Sequence, residues 1–226
     1  MHNLIIVLSI FLLANIGTLT HAAPSQLVPC DYIYGRSKVI QIYHKNLDRH
    51  FEINGGLEKL NIDFLMYILP SFKNEQAIIG YKMPDGSHVL ERLISEDSVW
   101  YLLNKYADRH SIQLYDIPDN PDLKLPPITS DIKKKISKST AHYIKKAVDF
   151  AVINSRYDAK EFEGYHGQLD GTDIYFLSSS KKCGSPFVNS APGPAEKILI
   201  LSKLLEDFME NKTSELDLLN ASKIIK

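Results

Sequence analysis

Residues Glu75 to Ile94 read EQAIIGYKMPDGSHVLERLI, two strand-like runs, Glu75–Lys82 and Ser87–Ile94, on either side of Met83-Pro84-Asp85-Gly86. Proline presets φ, aspartate bonds the backbone ahead of it and glycine admits positive φ, so the four residues form the tip of an antiparallel hairpin. A second hairpin is expected over Glu161–Ser179, because Asp170-Gly171 between two strand-like runs is what a two-residue type I′ turn requires. Its register follows: Leu169 with Thr172, Gln168 with Asp173, Gly167 with Ile174, His166 with Tyr175 and Tyr165 with Phe176. Tyr165, Leu169, Ile174 and Phe176 then look toward a core, while His166, Gln168, Asp173 and Tyr175 share the opposite face.

Working outward, Lys38–Tyr43 (KVIQIY) alternates and is rich in β-branched residues, and Arg49–Ile53 repeats the pattern before Asn54-Gly55-Gly56, so both are expected as strands. In Glu58–Leu69, Leu60, Phe64, Leu65 and Ile68 recur at three- and four-residue spacing ahead of Pro70, the pattern of a short core-facing helix. Ser95 with Glu96 and Asp97 behind it is the expected cap of a helix ending near Arg109, with Val99, Leu102, Leu103 and Tyr106 as its stripe. Ile112–Ile117 is expected as a strand. Pro118, Pro121, Pro126 and Pro127 stiffen an internal loop over 118–127. After it Thr129 or Ser130 caps a helix to about Arg156, with Ile132, Ile136, Thr140, Tyr143, Ala147 and Ala151 on one face. Pro192-Gly193-Pro194 opens a further helix with Ile198, Leu201, Leu205 and Phe208 buried. Thr213–Ile225 is a weaker, terminal helix.

Across 226 residues, 44% hydrophobic and 23% charged are the proportions of a folded domain, which excludes wholesale disorder, collagen-like repeats and a multi-pass membrane protein. Lys+Arg 26 against Asp+Glu 27 leaves a net charge of -1 and no broad basic field for nucleic acid. Leu4–Leu13 (LIIVLSIFLL) has the length of a signal-peptide core and is too short to cross roughly 30 Å of hydrocarbon. Thr20 and Ala22 suit the -3 and -1 positions, so residues 1–22 are expected to be a cleaved leader and 23–226 a single domain, exported to a periplasm or secreted; an uncleaved anchor is the alternative. Both cysteines, Cys30 and Cys183, lie beyond that leader. In an oxidising compartment they are expected to pair within the chain, with separate buried thiols or pairing between chains as alternatives. Cys183-Gly184-Ser185-Pro186 matches no nucleophile or redox pattern.

Three groups of residues could carry chemistry. On the polar hairpin face, Asp173 could orient the His166 imidazole while Tyr175, with Gln168 nearby, donates a proton or holds a ligand oxygen; the plain reading is a solvated face. Lys133, Lys134, Lys135, Lys138, Lys145 and Lys146 form a basic face that could dock an acidic protein or another anionic surface, or serve solubility alone. Asp116, Asp119, Asn120 and Asp122 crowd oxygen ligands into the proline loop without EF-hand spacing. The sequence holds no G-x-S-x-G elbow, phosphate loop, dinucleotide fingerprint or CxxC, and it implies no cofactor. Dispersed acids and bases, such as the paired carboxylates of glycoside hydrolases, escape that test. The C-terminal stretches EGYHGQLDGTDIYF and NSAPGPAEKILILSKLLEDF are similar to tails of uncharacterised secreted bacterial proteins, to which no activity attaches.

The expectation is therefore an α+β domain, an antiparallel sheet of hairpins packed against three to four helices and clasped by one disulfide. Its expected function is recognition of another protein or an envelope surface, as a binding, inhibitor or effector module. Twelve tyrosines suit half-wet interfaces and favour that reading. The rival is a small secreted hydrolase using His166, Asp173 and Tyr175.

Overall fold

The computed structural model describes residues 27–30, 37–57, 60–71, 73–118, 121–155, 172–180, 182–186 and 194–225. The leader expected at 1–22 lies outside them. The fold is α+β: a single antiparallel sheet with helices on both faces. Seven strands, β1 (Leu27–Pro29), β2 (Asn61–Pro70), β3 (Gln76–Lys82), β4 (His88–Ser95), β5 (Ile128–Ile136), β6 (Thr172–Ser178) and β7 (Cys183–Pro186), lie in the order β1-β7-β6-β2-β3-β4-β5. Helices α1 (Lys38–Asn54) and α2 (Val99–His110) cover one face; α3 (Lys138–Ile153), α4 (Pro194–Met209) and α5 (Glu215–Lys223) cover the other. The β3–β4 hairpin forms as expected, with Gly86 at φ +84 in its tip.

Several local expectations give way to the two-sided burial of the sheet. Asn61–Pro70, expected helical, is the central strand, and from Phe64 to Leu69 every residue is buried. A strand covered on both faces reads as a continuous apolar run, and its three- and four-residue spacings were incidental. Lys38–Tyr43 and Arg49–Ile53, expected as strands, are one helix, α1. Ser37 caps it by accepting from the Ile40 amide, and Ile42, Leu47 and Phe51 are its buried anchors. Ile112–Ile117 contains a 3-10 turn, Leu114–Asp116, in place of a strand. The cap of α2 is Ser98 rather than Ser95, which ends β4. Thr129 and Ser130 belong to edge strand β5, and the helix after the proline loop starts at Lys138 behind the cap Ser137. Ile132 and Ile136 therefore pack from a strand, with alternate residues inward, while Thr140, Ala147 and Ala151 are buried on α3 as expected. The last two helices match their expected stripe and position, and α5 is held by a capping box between Ser214 and Asp217.

β6 forms over Thr172–Ser178, but its expected partner, 161–169, lies outside the described residues. The expected pairing of Tyr165 with Phe176 does not hold, because Phe176 has Met66 on one side and Gly184 on the other. Cys30 and Cys183 are bonded at the edge of the sheet where β1 pairs with β7, with Cα atoms 5.3 Å apart and a sequence separation of 153. The bridge sits one step beyond the Pro29–Gly184 pair and extends that ladder covalently. Closing so long a loop removes on the order of 5 kcal/mol of unfolded-state entropy.

Two cores result. One joins Met66, Ile78, Leu90 and Phe176 to Ile144, Val148, Ile198 and Leu201; the other joins Leu65, Tyr67, Ile79 and Val89 to Leu47, Phe51, Val99 and Leu103. Arg92 fastens the far edge, pairing with Asp131 of β5 and with Glu210 beyond α4. Phe64 lies flat across Gly80 on the neighbouring strand. A Cβ there would stand 2.2 Å from Phe64 Cε1. Gly80→Ala is therefore expected to destabilise by about 1–3 kcal/mol in denaturant unfolding, with Phe64→Leu recovering part of the loss in the double mutant. Additive losses would refute the contact.

Candidate functional site

α1 carries an uncommon load of buried polar side chains: His44 at 2% exposure, Asn46 at 1% and His50 at 0%. Each is satisfied locally. Asn46 Nδ2 donates to the Ile42 carbonyl at 2.8 Å. His44 meets the Tyr175 ring edge-on at 4.4 Å between centroids. His50 Nε2 lies 2.9 Å from Ser95 Oγ, and Ser95 gives its own proton to the Asp97 carbonyl, so the imidazole must donate to the serine. A serine with no exposure and a committed proton is no nucleophile. The pair ties α1 to the end of β4. Glu75, also buried, accepts from the Val99 and Trp100 amides and from the Ser98 and Tyr43 hydroxyls, so its charge serves the N-terminus of α2.

The C-terminal half of α1 does something different. Between it and strands β2 and β6 lies a cleft of about 410 Å³, lined by Asp48, Glu52, Leu57, Leu60, Ile62, Leu65, Tyr67 and Leu177–Ser179. Its shape follows from one irregularity. A bulge between Ile62 and Phe64 resets the alternation of β2, so that Ile62, Leu65 and Tyr67 all face α1. Asp48 and Glu52 are four residues apart and so project from one side of the helix. Asp48 accepts from the Tyr67 hydroxyl. Burial, opposed by that bond and aided by the nearby Glu52 charge, raises the Asp48 carboxyl to about 6. The serines are engaged elsewhere, Ser178 with Ser180 and the Lys182 carbonyl, Ser179 with Asp149 and Lys145. The site thus offers an apolar floor, an acid that exchanges its proton near neutrality and a second carboxylate at the rim, the arrangement that marks pockets able to bind or to exchange protons.

The residues singled out in the sequence are distributed differently from expectation. His166 and Gln168 lie outside the described residues. Asp173 and Tyr175 share a strand face as expected, but only Asp173, near the start of β6, is exposed; Tyr175 is 5% exposed and packs against His44 of α1. Burial raises the Asp173 carboxyl. The lysines do not form one helical face. Lys133–Lys135 are on β5, where Lys133 and Lys135 take the side of Glu91 and Lys134 the other. Lys133 pairs with Glu91 at 3.1 Å, Lys145 with Asp149 at 3.0 Å, and Lys134 caps the end of α4 through the Phe208 carbonyl and Asn211. Lys135, Lys138 and Lys146 are exposed on two separate elements. Asp116 and Asp122 are exposed, Asp119 and Asn120 lie outside the described residues, and no group of three or more metal-ligating side chains occurs among the described ones. No helix among the described residues is long and apolar enough to cross a membrane.

The Asp48–Glu52 pair escapes the sequence pattern because the alternation of Arg49–Ile53 has a period of two. Read as a helix, D-x-x-x-E would have placed both carboxylates on one face.

The buried groups load pH dependence in opposite directions. Desolvation lowers His44 to about 3 and His50 to about 4 from 6.5, so the unfolded chain takes up their protons first. Their contribution is full above pH 6.5 and is lost as pH falls toward 4. Asp48 is raised from 3.8, so its contribution is full below that value and is lost as pH rises through about 6. Asp48→Asn is thus expected to raise stability at pH 7 by on the order of 1–2 kcal/mol and to change little at pH 4, read from urea midpoints. Equal shifts at both pH values would show that Asp48 ionises freely. The chain matches no family model, no curated protein and no solved structure.

Proposed function

We propose that the protein is an exported recognition module and that the cleft beneath the C-terminal half of α1 is its binding site. One observation carries this reading: a concave, largely apolar cavity holds a desolvated carboxylate, fixed by Tyr67, at the position where a ligand's polar group would end. Its volume suits a side chain or a small organic group rather than a flat protein face. Export is supported by the apolar leader pattern at Leu4–Leu13 and by the Cys30–Cys183 bridge, which persists in oxidising surroundings.

A hydrolytic reading is favoured by a single feature, the Asp48 proton retained to about 6 beside a second carboxylate, as a general acid would require. The cleft serines do not serve as its nucleophile, since they are bonded to Asp149, Ser180 and the Lys182 carbonyl.

Both readings meet in one experiment. Nuclear magnetic resonance titration with a library of short peptides and small organic fragments is expected to shift resonances of Leu57, Leu60, Leu65 and Leu177. Leu60→Trp, which fills the cleft, should abolish those shifts while leaving the rest of the spectrum folded. Shifts that persist in Leu60→Trp would remove the cleft as the binding site. Turnover of chromogenic glycosides or esters that vanishes in Asp48→Asn would replace recognition by hydrolysis.

A further inference from the structure

We infer that the cleft selects a primary alkylammonium group on an unbranched apolar stem, as carried by the lysine side chain of a partner or by a free alkyl diamine. The inference rests on the cleft being the binding site. Leu57, Leu60, Leu65 and Leu177 supply walls against which a methylene chain can lie without losing hydrogen bonds. The polar contribution is one-sided in charge: among the described residues, the lining side chains include Asp48 and Glu52 and no lysine, arginine or histidine. An ammonium has three donors and no acceptor, so it satisfies two carboxylates and relieves the repulsion between them. An anionic ligand would add to that repulsion. A neutral apolar ligand would leave Asp48 desolvated, with Tyr67 as its donor among the described residues.

The Asp48–Tyr67 bond also favours ammonium over guanidinium. The Tyr67 hydroxyl already takes up part of the Asp48 acceptor capacity, so an arginine fork meets more competition there than a single point donor. A compact point charge can use the remaining oxygen directions and still reach toward Glu52, one turn along α1 at the exposed rim. His44 and Tyr175, buried on the same side of the sheet, pack against each other.

The test uses the full-length oxidised protein and three probes: acetyl-Gly-Lys-Gly-amide, its norleucine counterpart and 1,5-diaminopentane, each titrated to millimolar concentration and followed by chemical shift. Binding of the lysine peptide at least about tenfold tighter than the norleucine peptide, and lost in Asp48→Asn and in Glu52→Gln, supports the inference and identifies a partner's lysine as the source. Binding of the diamine without the lysine peptide supports the alkylammonium and assigns it to a free amine. Because Asp48 must be ionised to hold the cation, affinity should fall about tenfold from pH 7 to pH 5. Equal binding of the lysine and norleucine peptides, or binding that rises toward pH 5, overturns the inference while leaving the cleft as a recognition site. No shift with any of the three probes overturns it outright. Thermal melts of both variants, which are expected to fold because each substitution is isosteric, keep loss of binding distinct from loss of structure.

Discussion

Every other feature of the molecule depends on the double enclosure of β2. That strand has β3 on one edge and β6 on the other, so its backbone amides and carbonyls are paired on both sides, and both of its side-chain faces are covered by helices. Once those conditions hold, the neighbours are constrained. β3 and β6 must also present apolar residues both ways, Gly80 must lack a side chain beneath Phe64, and helices must arrive on both faces to close the two cores. The disulfide and the Arg92 ion pairs act at opposite ends of the sheet, where strands are short or lie at an edge and pairing alone is weak.

The candidate site arises where this regularity lapses. At Asp63 the β2 ladder takes in an extra residue, and near the same end α1 stops at Gly55. The bulge turns Ile62 toward the helix, and the departing helix leaves the space beneath its last turns unfilled, which is the cleft. Asp48 points into that space and is stripped of water on one side without gaining a cation among the described lining residues. The high protonation range of Asp48 is therefore a direct result of incomplete packing next to a well-packed sheet. His44, Asn46 and His50 of the same helix show the opposite outcome, buried polar groups with partners: Asn46 bonds within α1, while His50 and His44 fix the helix against β4 and β6.

Legibility in the sequence followed the length scale of the signal. The β3–β4 hairpin was readable because proline, aspartate and glycine act through the backbone of their own four residues. α4 was readable because Ile198, Leu201, Leu205 and Phe208 form a stripe with one dry side. α1 is hidden in the sequence because its buried side includes two histidines and an asparagine, which break the apolar stripe and leave β-branched alternation as the louder pattern. β2 is hidden because burial on both faces erases the period of two by which strands are recognised. The site failed with α1, since a carboxylate pair four residues apart has meaning only on a helix.

By itself the sequence determined the α+β class, the turn at Pro84–Gly86 and the last two helices, all properties of local chemistry, and it left Cys183 as the one possible partner of Cys30 within the chain, a pairing that the structure then shows. Only the tertiary structure decided that the sheet is covered on both sides, that Tyr175 is interior, that the lysines divide between β5 and α3, and that Asp48 and Glu52 frame a cleft. The physical reason is that desolvation belongs to a place and not to a residue. Whether a side chain is wet, and hence whether a carboxylate is ordinary or poised, depends on what distant segments lie over it.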